Sequence, residues 1–423
     1  MPIQRELQRW YEKAGLPSGA VNSQIGALDE VPKRRPDMKK NSTAKKSPKK
    51  ALAKGQKKQI CQLAAKQRLT IGLDLGDRTT RYCILDEAGD VVSEDQLPTT
   101  KTGLESLFAK MPSSRIALEV GTHSPWMSRH LSGMGHEVIV ANAHKVKLIT
   151  QSVHKNDRID ARQLARLARV DPQLLSPIRH RGEEAQRDLA VVRARAELME
   201  ARTKLINGAR GLVKPMGERL KACDADQVRV GLAEGLSEGA RRVIEPLLKT
   251  VEAMHEQIGK YDEQIEEIAK RYAEVKLLKQ VYGVGVLIGV TYVLTLEDAE
   301  RFAHSRDVGP YLGLTRKQRD SGESQPELGI SKAGDGLLRS LLVQGAHCIL
   351  RKGAPESDLR TWGLEKAKGG KRAKKRAVVA VARKLAVLLH HLWVTGEVYD
   401  PQYNRKAVEA AAAKAQGKAK VAA

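Results

Sequence analysis

Leu69-Thr70-Ile71-Gly72-Leu73-Asp74-Leu75-Gly76 reads as a strand that carries a carboxylate near its end. Thr80 to Asp86 follows after a tight connection, Glu87-Ala88-Gly89-Asp90 reads as a hairpin turn, and Val91 to Leu97 makes a third strand. A helix from Gly103 to Ala109 then leads to the strand Arg115 to Val120, which holds Glu119 at its end. Another helix, Ser124 to Gly133, precedes the strand Glu137 to Asn142. Three meandering strands followed by strands alternating with helices predict an α/β unit with a mixed sheet. Next comes Lys155-Asn156-Asp157-Arg158-Ile159-Asp160-Ala161-Arg162, which reads as the start of a helix. Positions three apart are neighbours on a helix surface, so Asp157 and Asp160 face the same way, and a cation between them would relieve their repulsion. Lys155, Arg158, Arg162, Arg166 and Arg169 give these acids a basic frame suited to a polyanion, with Lys155, Arg158 and Arg162 expected on nucleic acid. Taken alone, the pair also suits a solvated helix N-terminus that complements the dipole.

Composition narrows the partner. The 423 residues include 74 Lys and Arg against 50 Asp and Glu, a formal net charge of +24, which points to nucleic acid. Aromatic residues make up only 4%, so phosphate contacts rather than base stacking are expected to dominate binding. No apolar run approaches the ~20 residues of a spanning helix, and Met1 to Leu16 has no signal-peptide core. A cytoplasmic, nucleoid-associated protein without a membrane partner is the expectation. Cys61, Cys83, Cys223 and Cys348 are scattered and have no zinc spacing. Between Lys33 and Lys58 there are twelve Lys and Arg against one acid, Asp37, the composition of a basic disordered extension.

A strand-borne Asp74, a strand-end Glu119 and the helical Asp157 and Asp160 resemble the four acids of ribonuclease-H-like, Holliday-junction-resolvase-like (RuvC-like) nucleases. Such sites hold two divalent cations at the scissile phosphodiester, and Mg²⁺ suits hard oxygen ligands. Glu119-Val120-Gly121-Thr122-His123-Ser124-Pro125-Trp126, Gly135 to Val140 and Lys155 to Ala161 together resemble the DEDD transposases of insertion-sequence family 110 and its 1111 branch, the bridge-RNA-guided recombinases. Gly72 to Thr80 also resembles the first phosphate loop of actin-like ATPases, but no second phosphate loop or adenosine loop follows.

Downstream, Gly182 to about Gly211 is strongly helix-forming, Pro215-Met216-Gly217 breaks it, and Ala240 to Lys276 reads as a second long helix. Its apolar positions Val251, Met254, Ile258, Tyr261, Ile265 and Ile268 predict a coiled-coil seam, closed within one chain or between two. Val281 to Val290 reads as a helix-hairpin-helix-like segment, in which Gly283 and Gly285 would let backbone N–H groups approach a phosphate. Tyr311 to Gly322, Leu328 to Gly334 and Leu337 to Leu341 resemble the C-terminal transposase domain of the same family. The resemblance implies that Ser321 is a serine nucleophile, with Arg316, Lys317, Arg319 and Lys332 on nucleic acid. Two departures stand out: Arg316 where the family often has proline, and Asp77 where it commonly has lysine. Lys366 to Arg376 reads as a basic loop, and Ala377 to Val394 as an amphipathic helix.

The expected organisation is a basic extension (1–67), a RuvC-like DEDD domain (68–181), a coiled-coil arm (182–276), a mostly α-helical domain with the serine (277–396) and an Ala/Lys-rich tail (397–423). The resemblance implies a DNA recombinase using Mg²⁺, donor and target DNA, a structured guide RNA and a homo-oligomer. A metal-dependent junction endonuclease with a structural Ser321, or a basic architectural protein, are the alternatives.

Overall fold

The computed structural model describes residues 60, 62–64, 67–143, 157–319, 321, 324, 326 and 328–403, with only the backbone of 157–159. Two compact units make up the chain, Met1–Leu63 and Ala64–Ala423, and nearly all described residues belong to the second.

Five strands form one sheet: β1 (Thr70–Leu75), β2 (Thr79–Leu85), β3 (Val91–Pro98), β4 (Arg115–Glu119) and β5 (Glu137–Ala141), in the order β3-β2-β1-β4-β5. The first three pair antiparallel, and β1, β4 and β5 run parallel. Short connections make the antiparallel half. At the β2–β3 turn the Asp86 carboxylate accepts from the amides of Gly89 and Asp90, both at 2.9 Å, and Gly89 takes φ +93°, where a side chain would be strained. Parallel pairing needs crossovers, supplied by α1 (Lys101–Phe108) before β4 and α2 (Ser124–Gly133) before β5. The mixed α/β sheet expected from the sequence is therefore present. The helix that begins at Asp157 is present too, as α3 (Asp157–Val170), and it packs on β1, β2 and β4.

The rest is helical. The arm is a hairpin of α4 (Glu183–Val213) and α5 (Glu238–Arg271). Ile244, Val251, Ile258 and Ile265, seven residues apart on one face of α5, are buried. Near the tip Ile206, Ala209 and Val213 pack with Ile244, Leu248 and Val251, so these residues of α5 are buried against α4 of the same chain. The single helix expected through Lys276 is instead broken at Tyr272, with φ −111° and ψ 98°, before α6 (Ala273–Leu278). Asp188 of α4 meets the chain at the break: it accepts from Arg271 Nη2 at 2.5 Å and from the Tyr272 hydroxyl at 2.8 Å.

A second core gathers α6, α7 (Val286–Leu296), α8 (Gly336–Leu350) and α10 (Lys371–Thr395), with α9 (Asp358–Ala367) against α10. Two expectations need correcting here. Lys371 to Arg376 is not loop but the first turns of α10, since Lys, Arg and Ala are good helix formers. This same helix has an 18-residue window of mean hydropathy 1.5, long and apolar enough to span a membrane by composition. Its Val381, Leu385, Leu389 and Leu392 are buried in the helical core, which accounts for their apolarity. His390 is also core: its Nδ1 meets Ser305 Oγ at 2.9 Å and its Nε2 the Ala299 carbonyl at 3.0 Å.

Candidate active site

Side chains alternate between the two faces of a strand, so Gly72 and Asp74 point to the same side of β1. The parallel register pairs Gly72 with Ala117, which puts Ala117 and Glu119 of β4 on that side as well. Ala117 packs with Leu164 and Ala168 of α3. The two strand acids thus face α3, at the carboxyl ends of neighbouring strands. Ile71, Leu73, Ile116 and Leu118, on the other face, are fully buried.

Gly72 sets how closely α3 approaches. A methyl group there would overlap the Ala161 carbonyl oxygen and lie 2.6 Å from the Ala165 amide nitrogen. The Arg115 guanidinium, at the start of β4, donates to the Ala168 carbonyl at 3.1 Å. The helix therefore runs opposite to β1 and β4, and its first turn lies toward their carboxyl ends. Asp160, directly before Ala161, is half-buried there, as are Asp74 and Glu119. Gly72→Ala is expected to force α3 off the sheet at a cost of about 1–3 kcal/mol. A thermal melt checks this, and an unchanged midpoint would contradict the close approach.

The basic frame divides. Arg162 donates from Nε and Nη2 to Glu94 at 2.6 and 2.8 Å, so its fork is occupied in tying α3 to β3. Glu94 also borders the Cys83 thiol, which burial first and then this carboxylate push up to about 12, leaving an inert core thiol. Lys155 and the side chains of Asp157 and Arg158 lie outside the described residues.

His123, to which the sequence alone assigns no role, meets the exposed Asp77 that follows β1. It precedes α2, places Nε2 3.3 Å from Asp77 Oδ1 and receives the Trp126 indole N–H on Nδ1 at 3.1 Å. Because Nδ1 accepts, the proton of the neutral ring sits on Nε2, facing Asp77. Asp77 itself is exposed. The signal is present in Gly121-Thr122-His123-Ser124-Pro125-Trp126, but the contact spans 46 residues.

Ser321 sits near the tip of a hairpin. Arg316 bridges Ile330, and Ser321 bridges Ser324; the two serines exchange amide–carbonyl bonds of 3.1 and 3.0 Å. Ser321, Arg316, Lys317 and Arg319 are exposed. The hairpin base is fixed by backbone approach at Gly334, φ +71°, where a methyl group would overlap the Tyr311 carbonyl. Lys332, at φ +56°, donates its amide to the Gly313 carbonyl at 3.1 Å. Gly283, at φ +88°, lies against α8, where a methyl group would come 2.8 Å from the Gly345 carbonyl. Gly285 caps α7 in open space.

Among the described residues, no three of His, Cys, Asp or Glu are gathered closely enough to hold a cation by themselves. The donor chemistry of Asp74, Glu119 and Asp160 is nonetheless of the kind that suits a hard divalent ion: half-buried carboxylates, two at the carboxyl ends of neighbouring strands and one in the first turn of α3.

Comparison with known families decides what this arrangement belongs to. The DEDD transposase model of the IS110 family matches residues 71–216, and the model for transposases of the IS116/IS110/IS902 family matches residues 275–360. The chain belongs to the IS110 family of DEDD transposases. The transposase for insertion sequence element IS1111A of Coxiella burnetii is 29% identical over 336 residues, covering 78% of this chain and 90% of its own. The transposase for insertion sequence element IS1328 of Yersinia enterocolitica is 26% identical over 298 residues, 67% of this chain and 84% of its own. The first family match spans the acid-bearing sheet and all of α4, and the second runs from α6 to the start of α9 and includes the hairpin of Ser321, so this transposase matches the family in both parts.

Proposed function

We propose that this transposase cuts and rejoins DNA with Ser321 as nucleophile and Asp74, Glu119, Asp157 and Asp160 as the ligands of divalent cations, Mg²⁺ by the hardness of the donors. The observation that carries the reading is the shared face of Gly72, Asp74, Ala117 and Glu119 under α3, whose first turn holds the two helical aspartates. A sheet of order β3-β2-β1-β4-β5, in which β2 alone runs against the other four strands, supports a ribonuclease-H-like, RuvC-like domain over 68–181. The arm (182–276) and serine-bearing domain (277–396) follow it.

Cations at the acidic edge would stabilise the attacking and leaving oxygens of the phosphodiester. The chain's own residues do the remaining work. The Ser321 oxygen forms a new bond to phosphorus and gives up its proton. The bond from phosphorus to the leaving sugar oxygen breaks, and that oxygen takes a proton to become a hydroxyl. Arg316, Lys317 and Arg319, on the same hairpin, offset the charge that develops on the phosphoryl oxygens. Rejoining reverses these steps with a hydroxyl of the second DNA, so the ester conserves the bond energy. The acids and the serine act as one composite site, completed between protomers of a homo-oligomer. An element-encoded RNA names target and donor, and the protein works in the cytoplasm on the nucleoid.

Two experiments test the setting. Purified protein with its copurified RNA, given donor and target plasmids, is expected to form recombinant joints scored by junction amplification. Ribonuclease treatment of the complex is expected to abolish them, and joints that persist would remove the guide. Deleting residues 1–66 is expected to keep catalysis and to lower the slope of log K against log salt by about 0.9 for each duplex phosphate that the extension neutralises. An unchanged slope would show that the extension does not touch nucleic acid.

A further inference from the structure

A cleft of about 2630 Å³ opens between the serine hairpin, α9 and α10. Its charge is polarised, as the helix packing shows. A methyl group at Gly363 of α9 would lie 2.5 Å from Val381 of α10, and Lys384 holds its ammonium 4.0 Å above the Trp362 ring. Later residues of α9 thus meet earlier residues of α10, and the two helices run antiparallel. The Asp358 amide, at the start of α9, donates to the Pro401 carbonyl at 2.7 Å. Of the lining carboxylates, Asp358, Glu397 and Asp400 therefore gather toward the end of α10, while Glu365 lies toward its beginning among Lys366, Arg372, Lys375 and Arg376, where the balance is basic.

We propose that the basic half of this cleft binds an unpaired stretch of DNA flanking the phosphodiester attacked by Ser321, an inference that rests on the serine reading above. Arg372, Lys375 and Arg383 are exposed and have no ion-pair partner among the described residues. Their charge stands ready for phosphates, with release of counterions on binding. Beneath that rim the floor is apolar, with Leu314, Ile330, Val379, Leu388 and the ring of Trp362. A duplex presents phosphates outward and has nothing apolar to seat there, whereas unpaired bases offer flat faces to stack on such a floor. Arg316 and Gln318 bring the hairpin itself into the lining. Ser321 follows Arg316 by five residues on the same hairpin, so a strand held in the cleft lies against the element that carries the serine.

The test uses full-length Ser321→Ala protein, so that no cleavage complicates binding. Single-stranded DNA carrying 5-iododeoxyuridine is irradiated on the protein, and crosslinked peptides are mapped by mass spectrometry beside duplex and ribo-oligonucleotide versions of one sequence. Crosslinks are expected at Trp362 or in peptides from 310–319 and 371–384. Arg372→Ala/Lys375→Ala/Arg383→Ala is expected to weaken single-strand binding at least about tenfold and to lower the salt slope by about 2, at ~0.7 per phosphate. Should that variant melt early, the crosslinks on the unsubstituted helix decide the matter. Crosslinks confined to other regions, an unchanged slope in a folded variant, or tighter seating of RNA or duplex in the cleft would each overturn the proposal. Cleft crosslinks without any phosphoserine in wild-type reactions would remove the serine reading and keep the cleft; phosphoserine without cleft crosslinks would do the reverse.

Discussion

Ser321→Ala is expected to eliminate recombination, lowering the rate on the order of 10⁴-fold or more, as removal of a catalytic nucleophile does elsewhere. The substitution takes away one exposed hydroxyl. The bonds that Ser321 makes with Ser324 run through its amide and carbonyl, and alanine keeps both. Fold, melting temperature and DNA affinity should therefore be unchanged. Ser321→Cys is a milder probe, because a thiol ionises more readily than a hydroxyl, and it is expected to retain partial attack. An alanine variant that recombined normally would leave the serine a turn residue. The acids would then be read as a junction endonuclease that uses activated water.

Asp74→Asn and Asp160→Asn are expected to lower strand cleavage on the order of 10³-fold while DNA binding stays within about twofold, because carboxylates that hold cations act on transition-state charge and affinity comes from Lys and Arg. The asparagine side chain is nearly the same size, so the sheet edge and α3 should keep their places. This pattern differs from that expected for Gly72→Ala, which moves α3 and lowers stability along with cleavage. Comparing melts and cleavage rates across the three variants separates loss of a ligand from loss of the helix that positions it. Wild-type cleavage by either asparagine variant would show that the four-acid assignment is wrong.

What the sequence reveals and what it conceals divide along local and distant interactions. The strands around Asp74 and Glu119 and the helix from Asp157 are set by apolar patterning within each segment, and they appear in the structure close to their expected bounds. The sheet order then brings Asp74 and Glu119 to adjacent strands. The long arm is legible in its three-four apolar spacing, but the contact made at its break, from the Tyr272 hydroxyl to Asp188, spans 84 residues, which no local pattern encodes. Arg162 reads as one member of a basic frame; its partner Glu94 lies 68 residues away on β3. The run from Lys371 to Arg376 reads as loop because of its charge, yet long basic side chains sit readily on a helix whose other residues are buried. His123 shows the same limit. Its ring is fixed by Trp126 three residues on and directed at Asp77 on another loop, and only the second of these contacts needs the fold.

The most direct measurement concerns the species left on the protein. A wild-type reaction on labelled donor DNA, quenched in denaturant and digested with protease, is to be searched by mass spectrometry for a DNA-linked peptide containing Ser321. A phosphoserine link at Ser321, absent from Ser321→Ala and from Asp74→Asn, is the result expected of a transposase that conserves bond energy in an ester. Cut DNA bearing only free phosphate and hydroxyl ends, with no labelled peptide at any time point, would contradict it.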